Sequence, residues 1–184
     1  AKRLAWGASG RNGGHVGTGQ RAGQDQLESW LGLDTAKSLW QLGLDAVSLV
    51  ENLIDEFAID CELGRGNLHL ASKRSHDDDA QREVEHLQSV YGYEAIRHLD
   101  RQAVAERTSA QGCYGGTLDD GARHLHPLKY ALGLAAGAQS LGAQLFENSP
   151  VLGYHEGEQV RVRTAKGSVK ARFVVLACNG YLGK

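Results

Sequence analysis

Methionine is missing altogether from the 184 residues, proline occurs twice and cysteine three times. The three thiols, Cys61, Cys113 and Cys178, are odd in number and far apart. That spacing excludes a disulfide framework and a CxxC-type zinc site, and it fits reduced thiols in a cytoplasmic protein. Each reads as a small buried apolar residue. No apolar run approaches the ~20 residues that a membrane-spanning helix needs, and no hydrophobic signal segment opens the chain. A basic excess is lacking too. Lys and Arg number 20 against 22 Asp and Glu, so the clustered positive face that nucleic acid demands is not there. Serine-elbow, P-loop and HExxH patterns are absent, as is a complete GxGxxG between a strand and a helix.

What is present is ordinary in bulk: 41% hydrophobic and 23% charged residues, the balance of a soluble globular chain. A single domain of this length buries roughly 70% of its unfolded surface. The chain opens Ala-Lys-Arg-Leu and stops at Leu-Gly-Lys184, just after an apolar run. We read it as the middle of a longer chain.

Glycine is unevenly spread, and its density is highest in Trp6-Gly-Ala-Ser-Gly-Arg-Asn-Gly-Gly-His15. Such a segment buries little, tolerates positive φ and lets a ligand lie close against the backbone. Successive N–H groups in such a turn form an anion-binding concavity, and Arg11 adds a cation beside it. A flexible linker has a similar composition. The Arg-Asn pair in its middle favours a binding loop.

Further along, Gln24 to Leu31 begins a short helix. Asp34 is placed to cap a longer one, whose Leu39, Trp40, Gly43, Val47, Val50, Ile54 and Phe57 recur at helical spacing to about Phe57. Ile59–Leu63 and Asn67–Ala71 alternate about Gly64-Arg-Gly66 and predict a hairpin. Ser75 caps a third helix whose first turn carries Asp77, Asp78 and Asp79, ending near Gly92. Three consecutive carboxylates there fit no metal-ligand spacing. Asp100 caps a short turn over Ala103 and Val104. Gly112–Leu118 predicts a strand, Asp119-Asp120-Gly121 a turn, and Pro127 the first position of a helix to Leu141. His126 just before it reads as a capping or pocket-lining side chain, and His124 with His126 lacks a third metal ligand. The small face Ala131, Ala135 and Ala138 suits tight packing on a sheet. Gly142–Glu147 and Pro150–Tyr154 look like short strands. Val160–Thr164 and Val169–Ala177 form a hairpin about Lys166-Gly167, and Phe173–Cys178 reads as a strand covered on both faces. Ligands gather beyond the carboxyl ends of such strands, which makes Ala177 to Gly180 a second candidate ligand edge.

Together these segments resemble the FAD-dependent amine and amino-acid oxidases of the D-amino-acid-oxidase-like family. The carrying residues are Gly7-Ala-Ser-Gly-Arg-Asn-Gly-Gly14, Gly32-Leu-Asp-Thr-Ala-Lys37, Ile59-Asp-Cys61, Gly121 with His124-Leu-His126-Pro-Leu128, Glu147 with Val151, Arg163-Thr-Ala-Lys-Gly167 and Asn179-Gly-Tyr-Leu-Gly183. The resemblance implies an α/β fold: a partial FAD-binding Rossmann-like domain with an interleaved α+β substrate-domain segment. It divides the chain into 1–58 (FAD-binding loop and helices), 59–126 (substrate-domain segment) and 127–184 (a return to the FAD-binding domain). It further implies that Ser9, Gly10, Arg11, Asn12, Gly13 and Gly14 touch FAD, with His15 near the ring. Val151 would meet the adenine end, and Ala177, Cys178, Asn179 and Gly180 would close over the nucleotide. Tyr114 and His126 would belong to the substrate side. The family's phosphate-binding glycine turn and ribose-holding acid would precede residue 1, so the 184 residues alone should bind FAD weakly and be inactive.

The activity implied is oxidation of a small-molecule amine with formation of peroxide, and it requires no protein nucleophile; no catalytic residue and no metal are assigned. A glycine- or sarcosine-like substrate is the alternative, as is a non-catalytic module whose glycine loop is a linker. The remaining segments of the same enzyme, or self-association, would cover the edges that a partial fold exposes.

Overall fold

Spacing of three and four residues between apolar side chains builds the longest element, helix α2 (Leu33–Glu56), which buries Ala36, Trp40, Gly43, Val47 and Ile54 along one stripe. Helix α1 (Gln24–Leu31) precedes it, and Gly32, at φ 82°, makes the corner between them. The structure, a computed structural model, describes residues 3–181; Leu182 and Gly183 of the terminal motif lie outside the described residues. Gly32 occupies the N-cap position of α2, so Asp34 falls inside the first turn, where its charge still favours the positive helix end. Helix α3 (Arg74–Tyr91) has Lys73 at its N-cap and so begins two residues earlier than a Ser75 cap would have set it, and Gly92 closes it in the left-handed conformation.

Strand β4 (Gly115–His124) is the spine of the larger sheet. It pairs antiparallel with β1 (His15–Val16), β2 (Gly64–Ala71) and β3 (Ile96–Asp100). Because β2 runs the length of one edge of β4, β1 and β3 share the other edge end to end. Asp100 caps the short helix α4 (Arg101–Ala105), its Oδ1 accepting the N–H of Ala103 at 2.8 Å. The expected hairpin between Ile59–Leu63 and Asn67–Ala71 does not form. Residues 59–63 alternate because Ile59 and Cys61 are buried against Ile54 and Leu125, within a tight path that sets Ala58 and Glu62 at positive φ. The strand partner of Asn67–Ala71 is β4 instead, with a bulge between Arg65 and Asn67.

The expected turn at Asp119–Gly121 is also overturned, for these residues continue β4. Asp119 is buried and accepts from Tyr93 Oη, and a β-carbon at Gly121 would overlap that hydroxyl. The glycine there makes room for a tyrosine rather than for a reversal. Helix α5 (Pro127–Ser140) starts at its proline, and His126 Nδ1 accepts the Lys129 N–H at 3.4 Å. Its close-packing face carries Gly133 and Gly137, which approach Ile59 and Phe57; Ala131, Ala135 and Ala138 are half-buried, and among the described residues α5 packs chiefly on the glycine loop and α2.

A second sheet is an antiparallel meander of β5 (Val151–His155), β6 (Val160–Thr164) and β7 (Gly167–Ala171). Gly142–Glu147 forms no strand, and the return run ends at Ala171, so Phe173–Cys178 carries no ladder. Among the described residues no strand lies beside it to pair with. Its apolar side chains consequently face outward, with Phe173 81% and Val175 86% exposed. Of the cysteines only Cys61 is buried; Cys178 is exposed, against the expectation of three core thiols. The architecture as a whole is the mixed α/β class read from the sequence.

Two apolar clusters organise the chain. Trp40, Val84, Leu87 and Ile96 join α2, α3 and β3, with Tyr91 and Tyr93 edge-on to the Trp40 ring. Ile54, Ile59, Cys61 and Leu125 join the end of α2 to the junction of β4 and α5. This second cluster fixes Leu125, against which the glycine loop rests.

Candidate functional site

The glycine-rich stretch is held by its own polar groups. Residues 8–10 make one turn of 3-10 helix, and the Arg11 N–H closes it on Ala8 O at 3.1 Å. Asn12 Nδ2 donates to the carbonyls of Ala8 (3.0 Å) and Ser9 (3.1 Å), while its Oδ1 accepts the N–H of Gly14 at 2.8 Å. Arg11 stacks its guanidinium 5.0 Å above the Trp6 ring. At its far end the loop joins the large sheet. The Leu125 N–H donates to Gly14 O at 2.9 Å, and His15 and Val16 then pair with His124 and Arg123. The near end is tied by Leu4, whose N–H donates to Glu147 Oε1 at 2.7 Å.

A cavity of about 850 Å³ opens beside this loop. Trp6, Gly7 and Ser9 form one wall, Asn148 and Pro150 a second, and Ala177, Cys178 and Asn179 a third. Two stretches at opposite ends of the chain thus face one another. Five non-glycine residues among those described have positive φ, and three of them, Ala5, Asn148 and Asn179, line this one cavity. Backbone held in that region costs free energy and gathers where a ligand is gripped.

Behind the loop lies a second cavity of about 500 Å³, between the loop, α2, α3 and the sheet. His15, Thr18, Gln20, Trp40, His69 and Asp119 are among its walls. Thr18 Oγ1 donates to Asp119 Oδ2 at 2.6 Å, and Tyr93 Oη donates to Asp119 Oδ1 at 2.5 Å. Burial, reinforced by the bond to Asp119, pushes the Tyr93 phenol well above its ordinary value and keeps it a donor.

Of the residues expected to contact a cofactor, Ser9, Ala177, Cys178 and Asn179 meet at the larger cavity. Arg11 reaches it only through Trp6, and Asn12 and Gly14 shape the loop from within. Gly10 packs beneath the turn against Ala5, Gly13 is exposed, and Gly180 follows the third wall. Val151 begins β5 one residue past Pro150, and His15 turns to the second cavity. Tyr114 and His126 line neither: Tyr114 is exposed with its N–H on Ala71 O, and His126 caps α5. Sequence reasoning missed Ala5, Asn148 and Pro150; the turn-forming Asn-Ser-Pro string was the available signal. Among the described residues no group of three or more His, Cys, Asp or Glu could hold a metal. Asp77 is paired with His98 at 2.8 Å and Asp79 with Arg82.

Residues 1–184 match the family model described as FAD dependent oxidoreductase (DAO). The chain is 37% identical over 184 residues to the probable oxidoreductase OrdL of Rhizobium meliloti, covering 100% of this chain and 43% of that protein. It is 32% identical over 183 residues to the γ-glutamylputrescine oxidoreductase of Escherichia coli, again 100% of this chain and 43% of the other. Among solved structures, glycine oxidase from Geobacillus kaustophilus superposes with a TM-score of 0.71 at 24% identity, over 94% of this chain and 45% of that one. The chain therefore spans less than half the length of these relatives.

Proposed function

The chain belongs to the DAO family of FAD-dependent oxidoreductases, and from that premise we propose that it is part of a longer flavoenzyme oxidising a small-molecule amine. The carrying observation is the single cavity walled by Ser9 on one side and by Ala177, Cys178 and Asn179 on the other. At about 850 Å³ it sits toward the upper end of ligand cavities, which run roughly 300–1,000 Å³. Its few polar groups (Arg3, Ser9, Asn148, Asn179) stand among apolar ones such as Trp6 and Ala177, a donor set that suits a flat ring joined to phosphate. The strained Ala5, Asn148 and Asn179 fit the same reading. In this proposal Ser9 and Ala177–Asn179 touch FAD directly. Gly10 to Gly14 and His15 shape the surface against it, and Val151 and Gly180 flank the nucleotide. Residues 1–58 and 127–184 then belong to the FAD-binding domain and 59–126 to the substrate domain.

When bound, the flavin would supply the two-electron oxidation, converting the amine to an imine and passing the electrons to oxygen as peroxide. The chain's own residues bind and orient. Asn12 and Arg11 stiffen the loop, and Trp6 gives the cavity wall an apolar ring face. Hydrolysis of the imine in solution leaves an aldehyde.

The substrate we favour is a primary or secondary amine such as a γ-glutamylated diamine, in line with the E. coli relative's name and a place in putrescine catabolism. A glycine- or sarcosine-like amino acid is the second reading, and it needs an arginine for the carboxylate. Arg123 is buried and committed to Glu51 at 2.6 Å and to the carbonyls of residues 120–122, and Arg97 is paired with Asp120. Neither is free to take a substrate carboxylate, which favours the amine. No helix of the described residues is long and apolar enough to cross a membrane, and we place the enzyme in the cytoplasm. The test is a visible spectrum of the purified full-length protein, followed by peroxide release across a panel of amines and amino acids. Flavin absorbance with turnover of amines supports the reading; a colourless protein that takes up no added FAD overturns it.

A further inference from the structure

We propose that Thr18 and Asp119 form a clamp that sets the register of the glycine loop and so positions it for the flavin; this rests on the flavin reading above. The loop leaves its cavity through β1, which is two residues long and lies between Gly14 and Gly17. A short strand among glycines has little of its own to fix its register. Contacts from the loop advance antiparallel along β4. Gly14 meets Leu125, His15 meets His124, Val16 meets Arg123, and Thr18 then reaches Asp119. The second and third are main-chain pairings that a slipped strand could remake one step along, and the first tolerates only a glycine, which Gly13 would supply in one direction of slip. Only the fourth is specific to a side chain.

Asp119 is suited to be the fixed point. It is 9% exposed, and its carboxylate accepts three hydrogen bonds: Thr18 Oγ1 at 2.6 Å, Tyr93 Oη at 2.5 Å and the Gly121 N–H at 2.9 Å. Two of these come from its own sheet and the turn after α3, so the carboxylate is set before the loop arrives. The Tyr93 ring is itself held edge-on at 5.1 Å from Trp40. Gly19, next to Thr18, lies under the Trp40 ring and against Gly43, where a β-carbon on either glycine would crowd its neighbour. A one-residue slip of the loop would break the Thr18 bond and push a side chain into that contact. Thr18 is a positioning residue: it acts on the flavin through the path of residues 13–17.

The clamp is tested in the full-length protein with Thr18→Val, which keeps the shape and removes the hydroxyl, and Thr18→Ser, which keeps the hydroxyl. Apoprotein is titrated with FAD, and backbone hydrogen exchange at residues 13–17 is followed in the apo form. Thr18→Val should weaken FAD binding about tenfold, the ratio expected for losing roughly one hydrogen bond to a charged group. It should also speed exchange at 13–17, while Thr18→Ser stays near wild type in both. Valine binding FAD within twofold of wild type, or serine as impaired as valine, would overturn the clamp. If wild-type protein takes up no FAD the functional reading fails instead, and the exchange comparison still decides the clamp.

Discussion

Gly14 lies so close to Leu125 that a β-carbon at position 14 would overlap the Leu125 carbonyl oxygen. The same glycine has φ 71° and accepts the Leu125 N–H on its own carbonyl at 2.9 Å. Gly14→Ala therefore meets two penalties, left-handed backbone and steric overlap with main chain, and should cost about 3 kcal/mol or more. Gly17 has open space around its α-carbon, so Gly17→Ala should stay within about 0.5 kcal/mol. Denaturant unfolding of the two variants side by side checks the pair; equal stabilities would contradict the packing described.

Asn12 should matter more for the order of the loop than for the stability of the fold. Its amide makes three hydrogen bonds within residues 8–14 and none to another element. Asn12→Ala should cost about 1–2 kcal/mol at most, because exposed bonds are partly replaced by water. Limited proteolysis should nonetheless cut the variant within 8–14 several-fold faster than wild type. Asn12→Asp retains the acceptor for the Gly14 N–H and should fall between the two.

The loop and the main helices were legible in the sequence because their causes are local. Glycine density and one Arg-Asn pair mark the binding turn, the three- and four-residue spacing from Leu39 to Phe57 marks α2, and Pro127 and Asp100 mark the starts of two helices. What was not legible depends on partners distant in sequence. Alternation in Ile59–Leu63 looks like a strand, but it arises from burial of Ile59 and Cys61 against Leu125. Asp119-Asp120-Gly121 has the composition of a turn, yet Tyr93 and Thr18 draw the aspartate into the sheet. Within the site, Ser9 was named from resemblance, and Ala177–Asn179 both from resemblance and from the expected end of a strand that does not form. The Asn-Ser-Pro string marks a turn at Asn148, but its place at the same cavity follows from the path of the chain after α5.

The junction of α1 and α3 should loosen at both ends of the pH scale. Glu28 Oε1 accepts from Tyr91 Oη at 2.6 Å and from His86 Nε2 at 2.7 Å. The Tyr91 bond first, then that from His86, holds the Glu28 carboxyl below its ordinary value of 4.5. A lowered carboxyl contributes stability above its unfolded pKa and loses it as pH falls through the folded value. Burial, with the bond to Glu28, pushes the Tyr91 phenol from 10.0 to about 12. A raised phenol contributes fully below 10.0 and loses that contribution as pH climbs toward about 12. Tyr91→Phe should flatten the alkaline limb of thermal stability, and Glu28→Gln should reduce both limbs. A Tyr91→Phe profile parallel to wild type above pH 10.0 would contradict the assignment.

Phe173 and Val175 make the sharpest case for what a longer chain adds. They are 81% and 86% exposed, on a run that holds no ladder hydrogen bonds to another strand. Exposed apolar side chains on an unpaired strand attract a partner. The chain covers 43% of its E. coli relative, so the proposed remainder of the enzyme is the nearest candidate to cover them. A charge at a solvent-facing position changes stability by no more than about 0.5 kcal/mol. A charge forced into an apolar contact costs several times that. Val175→Asp in the full-length protein should therefore lower stability by about 2 kcal/mol or more, while Lys170→Asp on the nearby exposed strand β7 should have little effect. Backbone amides at 173–178 should also exchange slowly in the full-length protein, because pairing gives them partners. Fast exchange there, together with a silent Val175→Asp, would mean that the run stays open to solvent and that no further strand completes this edge.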